Sequence, residues 1–343
     1  MSPIGVPGAL PAISVLLPCR NASEHLPEAI RSLRAQSFQD FEVIAVDDGS
    51  HDETAAQLAG WALRDRRVRV LRGEARGIAA ALATALAAAR APLIARMDAD
   101  DVAEPHRFER QLTLLAAKPN IAACGARIRY FPRATLRDGA RRYEAWINSL
   151  TEPQQIAREI FVECPIPHPT LMIRRDAILA VGGYRDPGWP EDYDLCLRLW
   201  ANGFRMANVP EVLLHWREHA TRASRSDERY HSDAFRRCKV HFLRSSLLAR
   251  RNGAVVWGGG PIGKKFALEL IRQDVNPRAF VDLDRRKIGQ QIHGAPVIAP
   301  HSIHRFRDAL VLAAVGSPGA RSDIRHELLA AGWIEGVEFC AVA

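Results

Sequence analysis

Three carboxylates, Asp98, Asp100 and Asp101, fall within four residues directly after the apolar run Leu93 to Met97. Carboxylates so close repel one another when ionised, and a divalent cation is the simplest compensation. An all-oxygen donor set suits Mn2+ or Mg2+, ions that commonly also hold substrate phosphates. The same residues equally read as an exposed turn whose acids cap a helix beginning at Val102. A second pair, Asp47 and Asp48, closes the apolar run Phe41 to Val46, and Pro18-Cys19-Arg20-Asn21 closes the run Ile13 to Leu17. Two acidic groups at the ends of neighbouring strands are expected to converge on one rim.

Strands and helices must place these groups. Apolar runs bounded by turn residues predict strands at Ile13 to Leu17, Phe41 to Val46, Val68 to Leu71 and Leu93 to Met97. Helical patterns near Ser23 to Ala35, Glu53 to Leu63 and Ile78 to Ala89 separate them. That alternation indicates βαβ units and a mostly parallel sheet, whose ligands sit at the carboxyl ends of the strands. Beyond Asp101 the pattern predicts a helix over His106 to Ala117 and a strand over Ile121 to Phe131. A charged, turn-rich stretch from Pro132 to Arg142 follows, then a strand over Thr170 to Ile173, a helix from near Glu191, and a strand over Val209 to Leu214.

The chain has 343 residues, 48% apolar and 25% charged. Such a length and composition fit a globular protein of two domains and exclude disordered, collagen-like and coiled-coil chains. No apolar run is long enough to span a membrane, and Pro3, Pro7 and Pro11 interrupt an N-terminus with no basic region before it, so a cytoplasmic location is expected. The six cysteines are dispersed without a C-x-x-C pair, which points to buried reduced thiols rather than disulfides or zinc. Net charge is +8, and ten Lys and Arg residues lie between Arg217 and Arg251. This basic stretch reads either as a solvated helix face or as a contact for an anionic membrane surface, at the inner face of the cytoplasmic membrane. No nucleic-acid motif accompanies it, so nucleic acid is not an expected partner.

Ile13-Ser-Val-Leu-Leu-Pro-Cys-Arg-Asn21 with Gln36-Ser-Phe-Gln-Asp-Phe-Glu-Val-Ile-Ala-Val-Asp-Asp-Gly-Ser50 resembles the nucleotide-binding opening of family 2 glycosyltransferases with a GT-A fold. Arg96-Met-Asp-Ala-Asp-Asp101 is similar to their metal-binding DxD segment. His168-Pro-Thr-Leu-Met-Ile173, Gly182-Gly-Tyr184 and Trp189-Pro-Glu-Asp-Tyr-Asp194 resemble the acceptor half. The likeness runs from about Pro11 to Ser224.

The resemblance implies a nucleoside-diphosphate sugar donor, UDP-sugar favoured, and a glycan or lipid-linked acceptor. It places Pro18, Arg20, Asn21, Asp47, Asp48, Arg76 and Asp98 at the donor, with Asp48 on the nucleobase imino N–H and Asp98 near ribose and phosphate. Asp100 corresponds to the principal metal ligand, with His219, or Arg217, near metal or pyrophosphate. Asp192 corresponds to the general base of a single, inverting displacement. Trp189, Glu191 and His168 fall at the acceptor or behind the base, His168 as a turn-former between two prolines. Read by themselves, Glu191 and Asp192 are acids at a helix start, where they also complement the macrodipole. Two departures bear on the donor: Arg20 stands where Tyr is common, and Ala83 where Asn is common.

Val255-Val-Trp-Gly-Gly-Gly-Pro-Ile-Gly263 carries G-x-G-x-x-G through Gly258, Gly260 and Gly263, and Asp282 ends the next strand-like run. After a strand and before a helix, that spacing lets backbone approach a pyrophosphate while the acid meets ribose hydroxyls; it also serves a tight turn with close helix packing. The expected organisation is therefore an α/β GT-A domain over residues 1–225, a basic helical linker over 226–252 and a small Rossmann-like domain over 253–343. The weaker readings are a nucleotide-sensing or assembly protein built on an inactive GT-A scaffold, and a sugar-phosphate nucleotidyltransferase, whose Gly-rich basic loop Pro18 to Asn21 lacks.

Overall fold

Long apolar runs that are covered on both faces make the parallel strands of this chain. The computed structural model describes residues 10–219, 222 and 227–343. The expected boundary at 225–226 and Arg225 lie outside the described residues. Internal contacts divide the chain into two units: one holds residues through Ile156 with Pro165–Pro187 and Asp194–Arg222, the other Ala157–Cys164, Gly188–Tyr193 and Ala223–Ala343.

The first unit is built on β1 (Ile13–Cys19), β2 (Phe41–Asp47), β3 (Val68–Arg72), β4 (Leu93–Arg96), β5 (Val102–Ala103), β6 (Ile121–Phe131), β7 (Met172–Arg174) and β8 (Arg205–Arg217). They form one mixed sheet in the order β3-β2-β1-β4-β7-β6-β8-β5. β1 lies parallel to β2 and β4, with Cys19 opposite Asp47 and Leu16 opposite Arg96. The carboxyl ends that carry the three polar clusters thus share one edge. Val15, Leu17, Val43, Ala45, Phe108 and Met172 anchor the core behind it, each worth about 1.5–3 kcal/mol when fully buried. The helix Leu26–Arg34 turns Leu26, Ala29 and Leu33 inward at helical spacing and begins with Pro27 in its first turn. Away from the carboxyl edge, buried Glu42 accepts from Ser14 Oγ at 2.7 Å and from the Arg90 guanidinium at 2.7 Å, so its charge is paired.

Three local expectations change. A helix, Asp138–Ser149, starts inside the stretch Pro132 to Arg142; it buries Ile147 and packs half-buried Ala140, Tyr143 and Trp146 against the core at helical spacing. Thr170 belongs to the 3-10 turn His168–Thr170, and the strand is Met172–Arg174. β8 extends well beyond Val209 to Leu214 because β6 pairs with it throughout, Pro210 and Glu211 being absorbed where the register jumps from Val209 to Val212.

The second unit contains β9 (Ala254–Trp257), β10 (Pro277–Val281), β11 (Gln291–Ile292), β12 (Ala295–Ile298), β13 (Leu310–Ala313) and β14 (Phe339–Ala341), ordered β11-β12-β10-β9-β13-β14. All pairs are parallel except β11 with β12. Val255, Trp257, Val281, Val311, Leu328 and Phe339 form its core. The helix Ser232–Ser245 buries Cys238, Phe242 and Leu243, and also Lys239, whose Nζ donates to the carbonyls of Val162 at 2.7 Å and Val342 at 2.9 Å. Glu159 binds Arg321 at 3.0 Å and Arg325 at 2.9 Å. The basic stretch is therefore not simply a solvated face: Arg229 pairs with Asp227, Arg236 with Asp233, and Lys239 is buried. All six cysteines are buried free thiols. Among the described residues, no helix is long and apolar enough to cross a membrane.

Candidate active site

The acidic turn after β4 is held from the far end of the sheet. β5 pairs antiparallel with β8, Val102 opposite His215, and this brings the end of β8 onto the turn. The Arg217 backbone N–H donates to Asp101 Oδ1 at 2.8 Å, and Arg217 Nε donates to the Asp100 carbonyl at 2.7 Å. His219 Nε2 lies 2.8 Å from Asp100 Oδ2, and the Arg96 guanidinium pairs with Asp98. One oxygen from each of Asp98, Asp100 and Asp101 lies within 4.8 Å of the others.

Electrostatics separates the three. Burial and the charges of Asp100 and Asp98 push the Asp101 carboxyl well above the usual carboxylate range. Burial also raises Asp98, against the pull of Arg96. For Asp100 burial is outweighed by the His219 hydrogen bond and the Arg222 cation, which hold it low. Arg222 is itself fixed by Glu218 at 3.1 Å and by stacking 4.6 Å from the centre of the Trp216 ring. Asp101 Oδ2 is buried without a hydrogen-bond partner. A converging set of hard oxygens with one buried orphan fits Mg2+ or Mn2+.

Asp47 and Asp48 end β2 on the same carboxyl edge, but β1 lies between β2 and β4, so the two acidic strand ends are not the immediate neighbours expected from the sequence. Asp47 Oδ1 accepts from the Ser50 N–H at 3.1 Å. Asp48 is buried, and its two oxygens accept the N–H groups of Arg76 at 3.2 Å and Gly77 at 2.8 Å. Gly73 lies so close that a Cβ there would come within 2.7 Å of Asp48 Oδ1. Asn21, at φ 48°, donates its backbone N–H to Ser50 Oγ at 3.0 Å and accepts from the His51 N–H at 2.9 Å, tying the β1 and β2 loops together. Pro18 is half-buried, Arg20 is exposed, and Arg76 pairs with Glu74 at 3.1 Å on the surface.

His168 is buried, and its Nε2 lies 3.1 Å from Tyr184 Oη. Burial, helped by the Arg96 cation, keeps its pKa well below the usual histidine value, as suits a turn-former. Asp194 is committed to Arg198 at 2.7 Å. Trp189, Glu191 and Asp192 belong to the second unit. There Tyr230 Oη donates to buried Glu191 at 2.7 Å, the Trp189 ring lies 5.2 Å from that of His241, and Asp192 Oδ1 accepts its neighbour's N–H at 2.7 Å. Also in that unit, Asp282 accepts from the Gly259 N–H at 2.9 Å and Lys287 Nζ at 2.9 Å. Sequence reasoning missed Arg96, Gly73, Arg222 and Tyr230. Arg96, two residues before Asp98, was the one with a local signal.

A model of glycosyl transferase family 2 matches residues 14–182, which include the clusters at the ends of β1, β2 and β4 and stop before Trp189. The amylovoran biosynthesis glycosyltransferase AmsE of Erwinia amylovora is 30% identical over 204 residues, 59% of this chain and 74% of its own length. The O-antigen biosynthesis glycosyltransferase WbnJ of Escherichia coli is 30% identical over 245 residues, 70% of this chain and 91% of its own. The chain belongs to glycosyl transferase family 2. The fold of this family 2 glycosyltransferase is that of S. aureus TarS 1-349, solved in complex with UDP-GlcNAc. The TM-score is 0.55 at 17% identity, over 68% of this chain and 66% of that one, just under two thirds of its length. In this family 2 glycosyltransferase the expected GT-A α/β fold is present, with a second sheet beyond it.

Proposed function

We propose that the protein is a metal-dependent, inverting glycosyltransferase that moves one sugar from a nucleoside-diphosphate sugar to a hydroxyl of a glycan or lipid-linked acceptor in cell-surface polysaccharide synthesis. The convergence of Asp98, Asp100 and Asp101, on the sheet edge that also carries Asp48, carries this reading. Relatives named for amylovoran and O-antigen synthesis support the polysaccharide context, and the UDP-GlcNAc complex of TarS supports a UDP-sugar donor.

In this reading Asp48 accepts the nucleobase imino N–H, Asn21 shapes the pocket wall, and Asp98 faces ribose and phosphate. Asp100, with Asp101 beside it, would hold the divalent ion, while His219 and Arg217 orient Asp100. When bound, the ion supplies charge neutralisation for the departing diphosphate. Asp192 takes the acceptor hydroxyl proton as that oxygen attacks the anomeric carbon. The bond from that carbon to the diphosphate oxygen breaks, its electron pair leaves with the nucleoside diphosphate, and the configuration inverts. Glu191, held by Tyr230, and Trp189 support the base from behind. Contact of the basic stretch with an anionic membrane has less support, since several of its cations are paired or buried.

Calorimetric titration with UDP, GDP, dTDP and CMP, with and without Mn2+, tests the reading on wild type and Asp100→Ala. Metal-dependent binding of one nucleotide that disappears in the variant is the expected result. Absence of any binding component that requires Mn2+ and is lost in the variant would overturn it.

A further inference from the structure

A cavity of about 520 Å3 opens in the second unit at the carboxyl ends of β9, β10 and β13. β10 lies on one side of β9 and β13 on the other, so the chain leaves β9 and β13 in opposite directions along the sheet. Crevices at such a reversal are where open α/β sheets take ligands. The volume is that of an ordinary small-molecule site.

The glycine-rich turn separates packing from ligand access. Gly258 has φ +126°, and a Cβ there would meet the Ala314 carbonyl at 2.8 Å; a Cβ on Gly263 would strike the Gly258 carbonyl at 1.8 Å. Packing within the unit accounts for both. A Cβ on Gly260 would meet nothing within 4 Å, yet Gly260 lines the cavity just before the helix Pro261–Arg272.

Three chemistries face one another across the space. Lys287, ion-paired with Asp282 at 2.9 Å, lines the cavity together with the start of that helix, where the Ile262 and Gly263 amides have no intrahelical acceptors. Leu283, 74% exposed, and Ile262, 44% exposed, present an apolar shelf. Asp323 and Glu327, from the helix Ala320–Ala330, form an acidic wall suited to hydroxyl groups. Asp282 is occupied by Gly259, Lys287 and the Asp284 N–H, so it fastens the turn rather than waiting for a ribose.

We infer that this cavity is a second, metal-independent binding site for a nucleoside diphosphate or its sugar. The diphosphate meets the turn and Lys287, the planar base lies on Leu283 and Ile262, and the hydroxyls bind Asp323 and Glu327. The inference stands independently of the transfer reaction.

The test is calorimetry in EDTA on the whole 343-residue chain carrying Asp100→Ala, with UDP, GDP, ADP, dTDP and NAD+ as probes. One nucleoside diphosphate should bind, at least tenfold more weakly after Lys287→Ala and not detectably after Gly260→Asp. Lys287→Ala, a half-exposed position, decides the matter should Gly260→Asp lower the thermal unfolding midpoint. No binding in EDTA, binding of NAD+ alone, or affinity unchanged by the substitutions would overturn the inference. Metal-dependent binding to wild type would survive such a failure, so the two readings fall separately.

Discussion

His219 Nε2 lies 2.8 Å from Asp100 Oδ2, a contact that spans 119 positions of sequence. A partner of this kind fixes the orientation of a ligating carboxylate, and its removal typically costs about 10–100-fold in metal affinity. His219→Ala should therefore weaken Mn2+-dependent nucleotide binding by about that factor, while Asp100→Ala abolishes it. Mn2+ titrations at fixed nucleotide distinguish the two. Equal affinities for wild type and His219→Ala would reduce the contact to packing.

Asp192 and Asp194 share a helix but not a fate. Asp194 is buried against Arg198, whereas Asp192 is the residue that the family resemblance assigns as base in the proposed reaction. Asp192→Asn should lower kcat by about 10^2–10^4-fold, the range of general-base catalysis, with donor affinity unchanged. Steady-state rates and donor calorimetry on one preparation measure both, provided wild-type contamination is excluded.

The loop that carries Gly73 and Arg76 lies directly on Asp48. Gly73→Ala places a methyl group 2.7 Å from Asp48 Oδ1, and overpacking of this kind costs about 1–3 kcal/mol. The donor KM should rise more than kcat falls, because in the proposed reading the displaced loop holds the Asp48 that meets the nucleobase. An unchanged donor KM would show that the loop relaxes without disturbing Asp48.

His168 makes stability pH-dependent with a definite sign. Burial holds its folded pKa well below the ordinary value near 6.5, so between the two values the unfolded chain binds more protons. Its contribution to stability is complete above about pH 6.5 and is lost as pH falls toward the folded value, at up to about 1.4 kcal/mol per pH unit. Urea unfolding of wild type and His168→Gln between pH 7.5 and 5 should show a shallower acid loss in the variant. Parallel curves would mean that His168 titrates alike in both states.

Much of the donor half was legible because the burial of parallel strands writes itself as unbroken apolar runs. β1, β2 and β4 could be placed from Ile13, Phe41 and Leu93 onward, and their polar ends followed. What escaped depends on partners distant in the chain. Asp101 shows no local sign that Arg217 will seal one of its oxygens and leave the other orphaned. Lys239 sits in a basic run, yet the carbonyls of Val162 and Val342 draw it into the interior. The helix from Asp138 was missed because its opening Asp138-Gly139-Ala140-Arg141-Arg142 reads as a turn, while most of its apolar face, Tyr143, Trp146 and Ile147, lies beyond that stretch.

The second unit draws on Ala157–Cys164 and Gly188–Tyr193 as well as everything from Ala223 onward. Tyr230 holds Glu191, Lys239 holds Val162, and Arg321 and Arg325 hold Glu159. A gene cut near position 226 would therefore strand these threads without their partners on both sides of the cut. The fold of the C-terminal sheet is thus tied to the stretch bearing Asp192.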